Sequence, residues 1–353
     1  MSEPSREAPV RSETADVTIH DVAREARVSI ATVSRVLNGT NPVKGATSER
    51  VMAAVERLGY IPHSGARSLI KRETRTLGVL LPDMFGEFFS ELIRGLDLVA
   101  RRRGFALLVT CTHGEASAAE TMLRTMHGKV DGMVILSSDL DLDAGLCRLL
   151  GRTPTVFLNQ PDGPQAASYD AISVDNHGGA LSMTRYLLGL GHRRIAFIGG
   201  PEHNMDARQR LEGWREAMAS LAAEPDPALE VPGDFSEASG YRAACRLLKL
   251  PTRPTAIFAA NDDMALGALA ALRDQGVKVP EDISLAGFDD VPIVRYLSPA
   301  LTSVRAPIPE LGARAAERLL NIIEAGGASQ ARQETLDVVL VTRASTCPPR
   351  LTP

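Results

Sequence analysis

The sequence predicts a small all-α helix-turn-helix head followed by an α/β body of two doubly wound parallel-sheet lobes. Three observations predict it. Residues Thr18 to Leu37, TIHDVAREARVSIATVSRVL, hold two short amphipathic segments separated by a tight break. From Leu77 onward, short apolar runs alternate with longer amphipathic stretches, which is the pattern of βα units and parallel sheets. That alternation starts again after AISVD, residues 171–175, so one block becomes two. At 353 residues the chain also exceeds one ordinary domain.

In the head, Thr18 and Ser29 are placed to cap the two segments by accepting orphan backbone N–H groups. Val22, Ala23 and Ala26 recur at helical spacing, as do Val33, Val36 and Leu37. Each segment is too short to be helical alone, so the two must pack on each other and on a third helix, Thr47 to Leu58. Gly59 ends that helix and Pro62 prevents its continuation. In such a helix-turn-helix the second helix enters the DNA major groove. Ile30, Ala31 and Arg35 lie near its start and middle. Arg35 can offer two donors to guanine O6 and N7, whereas Ile30 and Ala31 can make only apolar contacts, with a thymine methyl as the natural target. Thr32 and Ser34 suit phosphates. The plain alternative for Arg35 is a surface charge.

Charge is distributed to match. The whole chain carries −4, but Thr18 to Arg75 holds ten bases and five acids, a net +5, which leaves −9 elsewhere. A basic head on an acidic body suits a polyanion at one end only. Residues 1–16 are rich in Ser, Glu, Pro and Arg and read as a disordered arm. Residues 63–76, HSGARSLIKRETRT, are too short and too Gly-interrupted to be a stable helix alone, yet they could fold on DNA. Cys111, Cys147, Cys245 and Cys347 are far apart and form no CxxC pair, so neither a disulfide framework nor a zinc site is expected. No P-loop, GxGxxG, GxSxG or HExxH occurs, so no catalytic residue, metal or cofactor is expected. The absence of an apolar run of about 18 residues argues against a membrane span. The polar start lacks a signal-peptide core, so a cytoplasmic protein is expected.

In the body the predicted strands are LGVLL, ALLVTC, GMVIL, TVFLN and AISVD, then RIAFIGG, AIFAAND and ISLAGFDD. The stretches 88–103, 116–127, 178–190, 211–221, 236–248 and 265–275 supply helices between them. Ligands of open parallel sheets bind beyond the carboxyl ends of strands. Asp83, Asn159, Asn261 with Asp262, and Asp289 with Asp290 gather at those ends.

The string DVAxxAxVSxxTVSRVLN, Asp21 to Asn38 here, resembles the signature of the LacI/GalR (lactose/galactose repressor) family of transcription regulators, and the resemblance continues to about Ala344. It implies a head at 17–62, a hinge at 63–76, a two-lobe body at 77–345 similar to periplasmic sugar-binding proteins, and a tail at 346–353. The body divides into an N-lobe, about 77–175 and 305–336, and a C-lobe, about 176–304 and 337–345. For DNA it implies Thr18, Ser29, Ile30, Ala31, Thr32, Ser34, Arg35 and Asn38 in the head. In the hinge it implies Ala66, Arg67 and Leu69, the leucine wedging into the minor groove. For the effector it implies Phe88 or Phe89, Asn159, Arg210 in ARQRLEGW, Phe235 in GDFSEASGY, Asn261 in AND and Asp289 in GFDD. Aromatic faces would cover a ring, while the guanidinium and carboxylates would take hydroxyls or a carboxylate.

Two departures stand out. Arg27 occupies a turn position where the family commonly has Gly or Asn, at a cost of about 1 kcal/mol if left-handed. Ser48 follows Thr47 where the family commonly has Arg. The expected function is a repressor of a pseudo-palindromic operator, controlled by a small-molecule effector, with a sugar or sugar derivative first. The expected assembly is a homodimer, because the tail has no heptads for a tetramerising zipper. A sugar-binding transport component and a sugar-metabolising enzyme are the alternatives.

Overall fold

In the computed structural model the described residues are 17–38, 43–60, 73–113, 115–136, 144–159, 168–221, 226–327 and 330–350. The chain divides into two compact units, Met1–Thr74 and Arg75–Pro353.

The first unit contains α1 (Ile19–Glu25), α2 (Ile30–Asn38) and α3 (Gly45–Leu58). A capping box joins Thr18 to Asp21. The Asp21 carboxylate accepts the Thr18 backbone N–H at 3.0 Å and its hydroxyl at 2.7 Å, and these bonds hold its pKa below the usual value. Ser29 Oγ accepts the Thr32 N–H at 3.2 Å, the cap expected for α2. Arg27 adopts φ 50° in the turn, so the strain expected of a non-glycine residue is present. Gly59, at φ 61°, closes α3 as a left-handed cap. Val22, Val33 and Val51 are fully buried between the three helices, with Ala23, Ala26, Ala54 and Tyr60 around them. Val36 and Leu37 only flank this core.

The second unit has two sheets. Among the described residues the first runs β11-β5-β4-β3-β1-β2, from β1 (Thr76–Leu81), β2 (Ala106–Cys111), β3 (Gly132–Leu136), β4 (Thr155–Leu158), β5 (Asp170–Val174) and β11 (Gln333–Leu336), all parallel. The second runs β12-β10-β9-β8-β6-β7, from β6 (Ile195–Ile198), β7 (Glu230–Val231), β8 (Ala256–Ala259), β9 (Ser284–Asp289), β10 (Thr302–Arg305) and β12 (Val339–Val341). β12 lies antiparallel on β10, at the edge. The central strands β3, β4, β6, β8 and β9 are buried along their whole length, as continuous apolar runs covered on both faces must be.

The helices of the N-lobe are α4 (Glu87–Arg102), α5 (Ala116–Met126), α6 (Ala144–Leu150) and α11 (Ile308–Glu324). Those of the C-lobe are α7 (Asn176–Gly189), α8 (Met205–Met218), α9 (Glu237–Leu248) and α10 (Asp262–Asp274). Three helix pairs pack at backbone contact through glycine. A Cβ on Gly95 or Gly312 would overlap the backbone across the α4–α11 crossing; one on Gly240 or Gly267 would do so across α9–α10, and one on Gly213 across α7–α8.

The chain changes sheet three times: between β5 and α7, between β10 and α11, and between β11 and β12. The periodicity argument did not single out α6, α11, β7, β10, β11 or β12. These strands hold two to four residues each, too few to show a period. α8 also begins at Met205, a turn and a half before the expected Leu211, because Asn204 caps it by accepting the Ala207 N–H at 3.0 Å. The segment read as a tail from residue 346 is tied to the C-lobe. Cys347 exchanges bonds with Ser284 at 3.0 and 3.1 Å and its carbonyl lies 2.9 Å from His192 Nε2, while Arg350 pairs with Asp282 at 2.7 Å. No helix is long and apolar enough to cross a membrane, among the described residues.

Candidate functional site

On the head, capping and core packing decide which side chains α2 leaves outward. Val33 is consumed by the core, so Ala31 and Arg35, two residues to either side of it, fall on the opposite face and are exposed, and Ile30 at the helix start is exposed too, at 41% despite its apolar character. Ser29 and Thr18 are exposed at the starts of α2 and α1, while Thr32 and Ser34 are half-buried beside them. The Asn38 side chain and the hinge residues Ala66, Arg67 and Leu69 lie outside the described residues.

The body brings most of the expected effector residues together where the carboxyl ends of both sheets meet. Asn159 follows β4, and its Nδ2 donates across to Asp206 Oδ2 on α8 at 2.7 Å. Asp206 Oδ1 accepts Asn176 Nδ2 at 2.8 Å. Asn176 Oδ1 in turn accepts Arg210 Nε at 2.8 Å. Arg210 also donates from Nη1 to the Ala260 carbonyl at 2.5 Å, and its Nη2 lies 3.2 Å from Asp289 Oδ1. Its guanidinium carbon stands 3.8 Å above the centre of the Phe288 ring. Asp206 and Arg210 are four apart on one helix, which puts both on one face. Asn261 caps α10 by accepting the Met264 N–H at 2.9 Å, and its amide donates to the Phe235 carbonyl at 3.0 Å. The Phe235 ring lies over Gly200, where a Cβ would come within 2.5 Å of it. Phe88 and Phe89 open α4, half-buried and edge-to-face at 5.3 Å.

Strain marks this region. Asn159 (φ 68°), Phe235 (φ 69°), Asp289 (φ 104°) and Asp290 (φ 54°) all hold left-handed backbone, which non-glycine residues rarely adopt outside places that the surrounding structure enforces. Electrostatics mark it too. Burial and the neighbouring carboxylates of Asp263 and Asp206 push Asp289 up to about 7, against the pull of Arg210. Burial raises Asp206, again opposed by Arg210 and by its two amide donors. Asp262, wholly buried, is raised well above the ordinary carboxylate value by burial and by Asp289. It accepts the Val291 N–H at 2.9 Å and the Ser303 hydroxyl at 2.7 Å, and Gly287 is required because a Cβ there would overlap its carboxylate. Asp290 is held by Arg305 and Arg343 at 2.7 and 2.6 Å, beside the β10–α11 crossing.

One buried acceptor in this network, Asn159 Oδ1, has no hydrogen-bond donor, and Asp289 Oδ1 meets the Arg210 guanidinium alone. Sequence reasoning missed Asn176 and Asp206 as members of the network. Asp206 was accessible from its spacing to Arg210; Asn176, at the first position of a helix, carried no such signal. Another cavity, of about 460 Å³, lies on the outside of the N-lobe between α11 and the β5–β11 edge. Two of its arginines, Arg314 and Arg318, are already paired with Glu310, Glu334 and Asp170.

Comparison with known proteins identifies the family. Residues 18–63 match the family of bacterial regulatory proteins of the lacI type, and residues 184–346 match the periplasmic binding protein-like domain. The HTH-type transcriptional repressor CytR of Escherichia coli K12 is 36% identical over 337 residues, covering 95% of this chain and 98% of its own. The ribose operon repressor of the same organism is 36% identical over 330 residues, covering 93% and 99%. The lac repressor dimer bound to operator and the anti-inducer ONPF superposes with a TM-score of 0.81 at 31% identity, covering 94% of this chain and 99% of that one. A complex of the regulator CelR with cellobiose gives 0.69 at 33%, covering 93% and 99%. With a helix-turn-helix head, a two-lobe body and relatives matched along nearly their whole length, the chain belongs to the LacI family of DNA-binding transcriptional regulators and not to an enzyme family.

Proposed function

We propose that this regulator is a cytoplasmic homodimeric repressor whose operator affinity is set by a neutral, hydroxyl-rich effector bound between its lobes. The carrying observation is the donorless buried acceptor Asn159 Oδ1, in a network where Arg210 is already engaged by Asn176, the Ala260 carbonyl and Asp289. A buried acceptor without a donor costs roughly 1–3 kcal/mol, which a ligand O–H or N–H relieves. An anionic ligand would instead meet Asp206, Asp289 and Asp263 with the central guanidinium occupied. Phe235, Phe88 and Phe89 are the aromatic surfaces for the apolar face of a ring, and Asn261 fixes the Phe235 backbone. Ribose- and cellobiose-bound neighbours in the same family support a carbohydrate.

On the DNA side, Arg35 reads a guanine, Ile30 and Ala31 read thymine methyls, and Thr18, Ser29, Thr32, Ser34 and Asn38 position the helix on phosphates. Ala66, Arg67 and Leu69 form the hinge that folds on the operator. Two heads in a dimer read two half-sites, so the operator is a pseudo-palindrome. Titration calorimetry against ribose, cellobiose, nucleosides and the phosphorylated form of each tests the effector reading. Binding of a neutral compound, lost on phosphorylation and weakened at least tenfold by Asn159→Leu, is the expected result. Tight binding of a phosphorylated compound alone would overturn it.

A further inference from the structure

A second contact joins the lobes beside the effector network. It is formed by three helix N-termini, those of α4, α9 and α10. Glu87, the first residue of α4, accepts the backbone N–H of Ile293 at 2.8 Å from the segment following β9. Gly86, at φ 93°, packs against Asp263 so closely that a Cβ there would lie 2.8 Å from Asp263 Oδ2. Glu237, the first residue of α9, approaches the same carboxyl from within the C-lobe. These bonds hold N-lobe against C-lobe, and the joint they close is built from like charges. We propose that Glu87 and Gly86, set against Asp263 and Ile293, form a proton-operated latch that governs the opening of the two lobes.

The charges around Asp263 make the latch proton-dependent. Glu87 faces it from α4 and Glu237 from α9; Asp289 of β9, paired with Arg210 of α8, stands behind it. No cation is paired with Asp263 among the described residues. Burial and the two glutamates push it up to about 6 from 3.8. The closed joint therefore binds the Asp263 proton more tightly than an open one, in which Glu87 and the Gly86 surface have withdrawn. Closure is fully favoured while Asp263 is protonated in both states. It weakens as pH rises from the open-state value, which the persisting burial and Glu237 keep above 3.8, towards about 6, and levels off above that. Shifts of this size correspond to at most about a hundredfold in the opening equilibrium. Burial within the C-lobe and Glu237 persist on opening, so the part released by opening is about tenfold.

The latch acts on the resting lobes and needs neither DNA nor effector, so its test is independent of the operator and effector reading. Hydrogen exchange of the full chain, followed by mass spectrometry, reports the Ile293 amide through peptides spanning 290–297. After correction for intrinsic exchange, protection of that peptide is expected to fall about fivefold between pH 5 and pH 7.5. Asp263→Asn, a neutral isostere, is expected to keep the high protection at both pH values. Glu237→Gln is expected to move the transition to lower pH without abolishing it. Peptides of β8, whose strand is buried along its whole length in the C-lobe core, report whether each variant remains folded. Equal protection of 290–297 at both pH values in the unaltered chain, or a pH dependence that survives Asp263→Asn with β8 intact, would overturn the latch.

Discussion

Replacing Arg210 with methionine removes the one cation that the cleft network shares among its carboxylates. The guanidinium engages Asn176, the Ala260 carbonyl and Asp289, and stacks on Phe288, with 6% of the side chain exposed. Methionine fills much of the volume but leaves the Asn176 and Ala260 acceptors without donors and Asp289 without its counter-charge. Removing one partner of a buried ion pair costs about 3–5 kcal/mol. Uptake of a proton by Asp289, already poised near 7, limits the loss to about 3 kcal/mol near neutrality. The raised Asp289 value means its contribution to stability is fully present below pH 3.8 and is lost as pH rises through about 7. Without Arg210 that value rises further, so the variant goes on losing stability at pH values where the unaltered protein has levelled off. The gap between them must widen from pH 6 to pH 8.5. Urea unfolding monitored by Trp214, the only tryptophan, reads the C-lobe directly, because this residue is fully buried and stacked on Phe197 at 5.7 Å. Arg210→Lys, which keeps the charge but not the planar fork, falls between. A loss under 1 kcal/mol, or a gap that narrows at high pH, would refute the reading of Arg210 as the shared counter-charge.

Other perturbations separate the parts of the molecule. Gly267→Ala drives a methyl into the Glu237 carbonyl at the α9–α10 crossing; a loss of about 1–3 kcal/mol in the same Trp214 titration is expected, against no change if the helices can part. Thr18→Ala breaks the capping box and should cost about 1 kcal/mol, read as faster exchange of the α1 amides with the body unaffected. Leu69→Ala should weaken operator binding far more than binding to random duplex; equal losses on both would remove the minor-groove wedge from the hinge reading.

How much was visible beforehand follows from the length of each signal. The head was legible almost residue by residue, since Thr18, Ser29 and Gly59 are local signals with local consequences. The βα repetition was legible because strands such as IAFI and AIFA are buried on both faces and so purely apolar. The strands β10, β11 and β12 were not, because three or four residues with partners far along the chain carry no pattern of their own. The candidate site divides in the same way. Arg210, Asn261 and Asp289 stood in recognisable motifs, whereas the role of Asn176 depends on a contact 34 residues away. The latch was hidden for the same reason: Glu87 and Ile293 are 206 residues apart. The internal pairing of Arg210 was equally invisible, and it narrows the expected ligand from one offering hydroxyls or a carboxylate to one that brings donors.

Selection from a pool of random duplexes at fixed salt, with and without a panel of neutral sugars and nucleosides, addresses the operator and the effector together. Enrichment of a pseudo-palindrome, gained or lost with one neutral compound, is the expected result, and the direction of the change says whether that compound releases or recruits the repressor. No sequence enrichment at any salt would contradict ligand-gated operator binding.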